Sequence, residues 1–460
     1  MKEDTIAAVT TAAGAAGIGV IRVSGEDAAV IADRVFRSKR GIRLQDRPSH
    51  TVTYGRIVDA QGWFVDECLA LSMQGPQSFT GENIIELQCH GGTVVLTKVL
   101  ELVLSAGARL AEPGEFSKRA FLHGRMDLSQ AEAVMDLISA KTEKAAAAAS
   151  GQLSGALREE VSDLRAKILE IIAYLEAEID FPEEDIEKMS RAELQKKLTS
   201  VAADMERLLE TFQSGKILRE GLKTVLAGRP NVGKSSLLNA LLQEKRAIVT
   251  DVPGTTRDVI EEYYNLGGIP VILTDTAGIR ETGDLVERLG VEKTREALIA
   301  ADLILYVLDL TEEITPEELQ LLREMPQDKL LILVNKHDLL QEAAEEAEIR
   351  ERLREYPLVF VSARDGSGLD LLKQSIRERY LLPSGRMSEQ PLISNVRQKD
   401  ALTKALQAVR AAFASAAGDM PADFISIDLR QVWLSLGEIT GETVEENIID
   451  EIFSKFCLGK

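Results

Sequence analysis

The chain has 460 residues, 45% of them hydrophobic and 28% charged, with a net charge of −20. That length suggests about three domains at roughly 150 residues each, the composition is that of a soluble globular protein, and no apolar run is long enough to cross a bilayer. The acidic balance argues against a broad nucleic-acid-binding surface, since phosphate contacts need Lys and Arg; an RNA substrate would need a local patch or a basic partner. The cysteines Cys68, Cys89 and Cys457 form no CxxC, and His50, His90, His123 and His337 are scattered, which argues against a disulfide framework, a thiolate zinc site or a metal cluster.

Residues 6–23 are apolar but lack a basic leader beyond Lys2 and are interrupted by Arg22. They read as a first strand with a Gly turn rather than an export signal, so the chain is expected in the cytoplasm. Short β-like runs at 18–23, 51–58, 67–71 and 83–89, with one helix near 94–104, predict an N-terminal α+β domain over residues 1–118. From Ser129 the texture turns helical. Ser129 with Glu132 has the spacing of a capping box, and the helical pattern runs to Asp180, where Phe181-Pro182 breaks it. A second amphipathic stretch, 191–212, leads to Gly215.

Residues 216–383 then alternate strands (223–227, 259–266, 271–275, 303–309, 330–335, 358–362) with helices, the pattern of a doubly wound sheet. Helical texture returns at 400–416, 423–436 and 443–456, with Thr443 and Glu446 as another capping box. The economical arrangement is a helical domain, 119–215 plus 384–460, into which the α/β domain 216–383 is inserted.

The inserted domain carries Gly228-Arg229-Pro230-Asn231-Val232-Gly233-Lys234-Ser235 between a strand and a helix. There, successive N–H groups and a helix N-terminus can face phosphates. Lys234 should reach the β- and γ-phosphates and Ser235 should ligate Mg²⁺. Thr255-Thr256, Asp275-Thr276-Ala277-Gly278 and Asn335-Lys336-His337-Asp338 follow in the order a guanine-nucleotide site requires. Thr256 can complete the Mg²⁺ shell, Asp275 can hold the ion through water, and the Gly278 N–H can meet the γ-phosphate. Asn335 and Asp338 choose the base, the carboxylate accepting guanine N1–H and N2–H₂, which adenine cannot supply. Ser362-Ala363 fits backbone support of guanine O6. Ile279 stands where small regulatory GTPases place a water-orienting Gln, so that group must come from elsewhere; Arg257, Arg280, Glu281, Asp284, Glu287 and Arg288 are all candidates on spacing.

With these motifs, Pro113-Gly114-Glu115-Phe116, Arg119-Ala120-Phe121-Leu122 and the ending Phe456-Cys457-Leu458-Gly459-Lys460, the chain resembles the MnmE (TrmE) family of bacterial tRNA-modification GTPases over nearly its whole length. The resemblance implies a tetrahydrofolate-binding N-terminal domain that dimerises, a helical domain, and a Ras-like G domain inserted in it. It implies nucleotide contacts across Asn231, Val232, Gly233, Thr250, Asp251, Val252, Pro253, Gly254, Thr255, Thr276, Ala277 and Lys336. It also implies K⁺ held by Asn231 and carbonyls near Thr250, Val252 and Thr255 when two G domains meet on GTP binding, with Glu287 orienting the water. Arg22, Glu86, Arg125 and Lys460 match the positions that contact the folate, a 5-formyl or 5,10-methylene form. Read as isolated residues, Arg22 is a strand-end surface charge and Glu86 a solvated strand residue. Cys457 is a thiol that could act as nucleophile or proton donor, or be a buried anchor. The implied activity is GTP hydrolysis coupled, with an FAD-dependent MnmG-like partner in a heterotetramer, to C5 modification of the wobble uridine, position 34, of certain tRNAs. The tRNA would be held mainly by that partner, with no role for a membrane. Two other functions fit parts of the sequence: an Era-like ribosome-assembly GTPase, which the acidic flanks and single phosphate loop oppose, and a folate-dependent one-carbon transferase with a regulatory G domain.

Overall fold

The computed structural model describes residues 4–12, 14–180, 189–242, 263–275, 298–340, 343–381, 390–418, 420–456 and 459. Its N-terminal sheet has seven strands: β1 (Ile6–Val9), β2 (Ala16–Ser24), β3 (Phe36–Ser38), β4 (Thr51–Val58), β5 (Phe64–Met73), β6 (Ile84–Gly91) and β7 (Arg109–Leu110), in the order β3-β4-β5-β6-β2-β1-β7. The single strand expected within 6–23 is in fact two, β1 and β2, paired antiparallel with Ala8 opposite Arg22.

Helices α1 (Ala28–Val35) and α2 (Thr93–Ser105) cover one face, burying Ile31, Leu96 and Val99 against Ile21, Ala70 and Leu87. Alternation of buried and exposed residues along β4 and β5 is what one covered face dictates. On the other face, the β1 side is covered by Phe116 and Phe79, whereas Val52, Tyr54 and Leu69 stay exposed.

The helical run expected from Ser129 to Asp180 is three helices: α4 (Leu128–Ser139), α5 (Glu143–Leu153) and α6 (Ala156–Asp180), which follow a short α3 (Glu115–Leu122). Thr142 caps α5 by accepting from the Ala145 N–H at 3.1 Å, and Gly155, at φ +102°, turns the chain into α6. Nor is Ser129 the cap of α4. Asp127 accepts from the Gln130 N–H and the Gln130 side chain accepts from the Asp127 N–H. Glu132 instead lies buried and accepts from Asn395 Nδ2 (2.9 Å), Gln398 Nε2 (2.8 Å) and the Arg397 guanidinium.

Helices α7 (Arg191–Glu210) and α8 (Phe212–Glu220) follow, so Gly215 is inside a helix rather than after one. A side chain at Gly215 would strike the Ile393 backbone. One core of Leu164, Ile168, Leu198, Met205, Leu402 and Leu429 joins α6 and α7 to the late helices Val396–Ala417 and Ala422–Thr440. The last helix, Glu446–Ser454, has Glu445 at its N-cap position with no side-chain capping bond; Thr443 is no cap, and its hydroxyl donates to the Leu434 carbonyl.

The second sheet has six strands: β8 (Leu222–Ala227), β9 (Tyr263–Leu266), β10 (Ile269–Asp275), β11 (Leu303–Asp309), β12 (Leu330–Asn335) and β13 (Leu358–Phe360), ordered β13-β12-β11-β8-β10-β9. All neighbours are parallel except the β9–β10 edge. Every residue of β11 and β12 is buried, because helices cover both faces. The outer edge of this unit rests on α5: Lys141 lies 5.4 Å from the Tyr263 ring, and Gly268 packs on the stem of Lys144.

Arg219 of α8 is ion-paired to Asp136 of α4 at 2.9 Å, tying the helix that feeds β8 to the helical unit. Burial pushes the Asp136 carboxyl up to about 6 from 3.8, against the pull of Arg219. A raised carboxyl favours the folded state when protonated, and that contribution is lost as pH rises through the folded value. Between about pH 4 and 6 the wild type should therefore lose up to about 3 kcal/mol relative to Asp136→Asn, read as a fall of its thermal unfolding midpoint relative to that of the variant. Parallel curves would contradict the assignment.

Candidate functional site

Strand β8 ends at Ala227, and the next turn reverses onto the helix α9 (Lys234–Leu242). Three backbone positions force that loop. Gly228 has φ +138° and a side chain there would meet the Val307 carbonyl; Asn231 is at +66° and Gly233 at +93°. Glycine and asparagine tolerate the left-handed region that most side chains avoid. The loop therefore arrives at α9 with its N–H groups at a helix N-terminus, the arrangement that favours phosphate. Lys234 Nζ donates to the Gly228 carbonyl at 2.9 Å and the Arg229 carbonyl at 2.5 Å, spanning the loop it must serve. Ser235 is exposed beside it. Both line a cleft of about 700 Å³ that continues to Tyr306, Leu321 and Met325.

Arg229 is held by Thr315 and by an ion pair with buried Glu318 at 2.9 Å, so the loop is anchored to the helix Pro316–Glu324. Tyr306, packed in the same layer, has its phenol pushed up to about 12 by burial.

The base-recognition segment lies at the end of β12. Asn335 is 1% exposed; its Nδ2 donates to the Val232 carbonyl at 2.8 Å and its Oδ1 accepts the Ala363 N–H at 3.1 Å. Those bonds make Asn335 the tie between the phosphate loop and the segment after β13, a positioning task beyond the base choice expected of it. Asp338 is aimed by the Ser362 hydroxyl, which donates to Oδ1 at 2.6 Å, with Arg364 3.6 Å from Oδ2. Lys336 adopts φ +64°, and its ammonium pairs with Asp309, whose other oxygen accepts the Thr311 N–H at 2.9 Å. Burial works to raise the Asp309 carboxyl, but Lys336 and Thr311 outweigh it and lower it below its ordinary value. Asp275 ends β10 directly opposite Leu226, beside the strand that feeds the phosphate loop.

Among the expected contacts, Thr250, Asp251, Val252, Pro253, Gly254, Thr255, Thr256, Thr276, Ala277, Gly278 and Glu287 lie outside the described residues. So do Arg257, Ile279, Arg280, Glu281, Asp284, Arg288, Cys457 and Lys460.

A second cluster forms on the N-terminal sheet. Arg22 and Glu86 face each other across β2 and β6 and are ion-paired at 2.8 Å, neither a loose surface charge nor a solvated carboxylate. The Arg22 guanidinium lies 5.0 Å from the Phe79 ring centre and 5.6 Å from that of Phe116. Arg125 Nε donates to the Ser78 carbonyl at 3.0 Å, which brings it to the same loop. Buried Arg119 fixes that loop by donating to Glu82 (3.0 Å) and the Asp4 carbonyl (2.9 Å). Gly459, buried at φ +90°, sits against the backbone of Val9 and Thr10, one residue from the partner of Arg22 in β1. Gly459 thus lies beside β1, the strand paired with the one that carries Arg22.

Family comparison matches the description "GTP-binding protein TrmE N-terminus" at residues 5–125 and "MnmE helical domain" at 128–457. The tRNA modification GTPase MnmE of Symbiobacterium thermophilum is 50% identical over all of both chains. That of Clostridioides difficile is 47% identical over 100% of this chain and 99% of its own. The chain belongs to the MnmE family. Among solved structures, Era of Aquifex aeolicus is 28% identical over 40% of this chain and 65% of that one, with a TM-score of 0.28.

As a member of the MnmE family the chain is a GTP hydrolase, with an α+β N-terminal part, a helical part and a Ras-like G domain. Sequence reading missed Asp309, Phe79, Phe116 and the aiming of Asp338 by Ser362. Asp309 did carry a signal: like Asp275 it is a carboxylate ending an apolar strand at the nucleotide edge. The aromatic residues carried none beyond their type.

Asp338→Asn replaces an acceptor with a donor, so GTP affinity should fall by about 10²–10³-fold while XTP, whose C2 oxygen can accept, should gain. Titration with both nucleotides checks this; equal losses for GTP and XTP would contradict base reading by Asp338.

Proposed function

We propose that this MnmE-family GTPase works with an FAD-dependent MnmG-like protein on the wobble uridine of certain tRNAs, adding an aminomethyl or carboxymethylaminomethyl group at C5. The observation that carries the reading is the braced phosphate loop and base segment, in a chain that aligns with its relatives from end to end. Lys234 and the N–H groups at the start of α9 hold the β- and γ-phosphates, and Asp338 selects guanine. Ser235, exposed at the helix start, and Asp275, at a neighbouring strand end, are hard oxygen donors suited to Mg²⁺, with Thr256 completing the shell. Asn231, an amide at the loop's left-handed position, suits K⁺ together with carbonyls near Thr250, Val252 and Thr255. A cation there does the electrostatic work of an arginine finger, a contribution of about 10³–10⁵-fold. Glu287 orients the attacking water, which Ile279 cannot.

The N-terminal cluster suits a tetrahydrofolate derivative: half-buried Phe79 offers a ring face, Glu86 an acceptor for pterin N–H groups, and Arg22, Arg125 and Lys460 charge for its carboxylates. The folate supplies the one-carbon unit when bound. Cys457, near the chain's end, would lie close by. The N-terminal domain also carries the homodimer contact. G-domain residues 216–383 inserted between 119–215 and 384–460, working in the cytoplasm, complete the proposal. Hydrolysis drives a rearrangement felt through α8 and its Arg219–Asp136 tie.

Exchange of K⁺ for Na⁺ should lower GTP turnover at least about tenfold with binding retained; equal rates in both salts would remove the cation. Glu287→Ala should spare binding and lower hydrolysis by about 10²-fold or more, and unchanged hydrolysis would return the role to another residue. For the function itself, mass spectrometry of nucleosides from tRNA of cells lacking the chain should find C5-modified wobble uridines missing; an intact set would defeat the proposal.

A further inference from the structure

The chain is strongly acidic, yet residues 34–56 hold seven Lys and Arg against one carboxylate, Asp46. They surround edge strand β3, and Arg34, Arg37, Lys39, Arg40, Arg43 and Arg56 are all exposed. The β3–β4 register sets Arg37 directly opposite Arg56, a like-charge pair that costs stability unless an anion bridges it. The nearby carboxylates offset the patch only in part. Asp33 accepts backbone N–H groups from Leu44 (2.8 Å) and Gln45 (3.3 Å). Glu67, opposite Arg56 on the other side, is paired to Lys39 at 3.4 Å. Arg37 donates to the carbonyls of Asp33 and Phe36, which fixes its direction and leaves its charge.

Among the described residues, no carboxylate is ion-paired to Arg40, Arg43 or Arg56. The loop that displays these cations is built, not loose. Leu44 is 1% exposed beneath it, and the Gly41 N–H donates to the Ser38 carbonyl at 3.1 Å. Tyr54 is exposed under the Lys39 ammonium, 4.3 Å from its ring centre, and Phe64 is exposed on the neighbouring strand. Cations on edge strands also deter sheet growth, but that role needs no folded loop carrying the positive face past the strand's end.

We propose that this edge, from Arg37 through the Arg40–Arg43 loop to Arg56, binds the phosphate backbone of the tRNA substrate. The inference rests on the tRNA reading above and departs from the expectation that the partner protein does most of the holding. Exposed cations on a built loop, beside exposed aromatic rings, suit a folded RNA, whose phosphates need charge and whose unstacked bases need ring faces. An anionic lipid surface would want an apolar anchor; in the loop only Ile42, 37% exposed, offers one.

The test is titration of fluorescein-labelled tRNA with the full chain, wild type and R40E/R43E, over a range of KCl concentrations. The variant should bind at least about tenfold more weakly at 0.1 M salt, and its slope of log affinity against log salt should shrink by about one to two. Its thermal midpoint and GTP affinity should not move; if R40E/R43E fails to fold, R40Q/R43Q gives the same comparison with a smaller loss. Unchanged affinity and slope would overturn the proposal while leaving the tRNA reading intact. Loss of binding to phosphatidylglycerol vesicles with tRNA binding unchanged would overturn it in favour of a membrane. Absence of tRNA binding by the wild type, with wobble modification of cellular tRNA nevertheless dependent on the chain, would also overturn this surface but not the function.

Discussion

One buried carboxamide holds the two halves of the nucleotide site in register. Asn335 cannot find water at 1% exposure, so its amide must be satisfied within the protein, and the acceptor and donor it finds lie on separate loops. Through Val232 it sets the phosphate loop, and through Ala363 the segment whose Ser362 aims Asp338. Gly233 is bound to this arrangement too, because any side chain there would strike the Asn335 amide. Phosphate grip and base choice are therefore coupled by sterics and hydrogen bonding before a nucleotide arrives, which is what preorganisation requires.

A comparable economy governs the rest of the chain. The last helix packs Phe453 and Phe456 against Phe121 and Leu128, and Gly114 can approach them only because it lacks a side chain and adopts φ +70°. That packing leads the chain's end to Gly459 beside β1. The first and last segments meet at β1, beside the strand that carries Arg22, while the GTPase unit rests on α5 and α8 between them. A change at the nucleotide site can reach the helical layer through packed helices and the ionic tie at Asp136 rather than through a loose linker.

The phosphate loop and the base segment were legible in the sequence because their chemistry fixes residue types at fixed spacing over a few residues. The strands of both sheets were legible where burial on one or two faces imposes alternation or an unbroken apolar run, as in β4 and β12. What could not be read were pairings across distance. Ser129 and Glu132 satisfy the local spacing of a cap, yet Glu132 is claimed by Asn395, 263 positions away, and Asp127 caps instead. Arg22 and Glu86 looked solvated because each meets its partner 64 positions off. The Asn335–Val232 bond spans 103 positions, so its bracing role was hidden behind its place in a motif.

The most direct measurement of the central claim is calorimetric titration of GDP into Asn335→Ala, with the thermal midpoint as a check on folding. Loss of the brace should weaken GDP by about 10²-fold, roughly 3 kcal/mol for two buried hydrogen bonds and their unpaired partners, while Asp338 keeps guanine preferred over adenine. A folded variant that binds GDP within about threefold of the wild type would show that the two loops hold their places without Asn335, and the account would be wrong at its foundation.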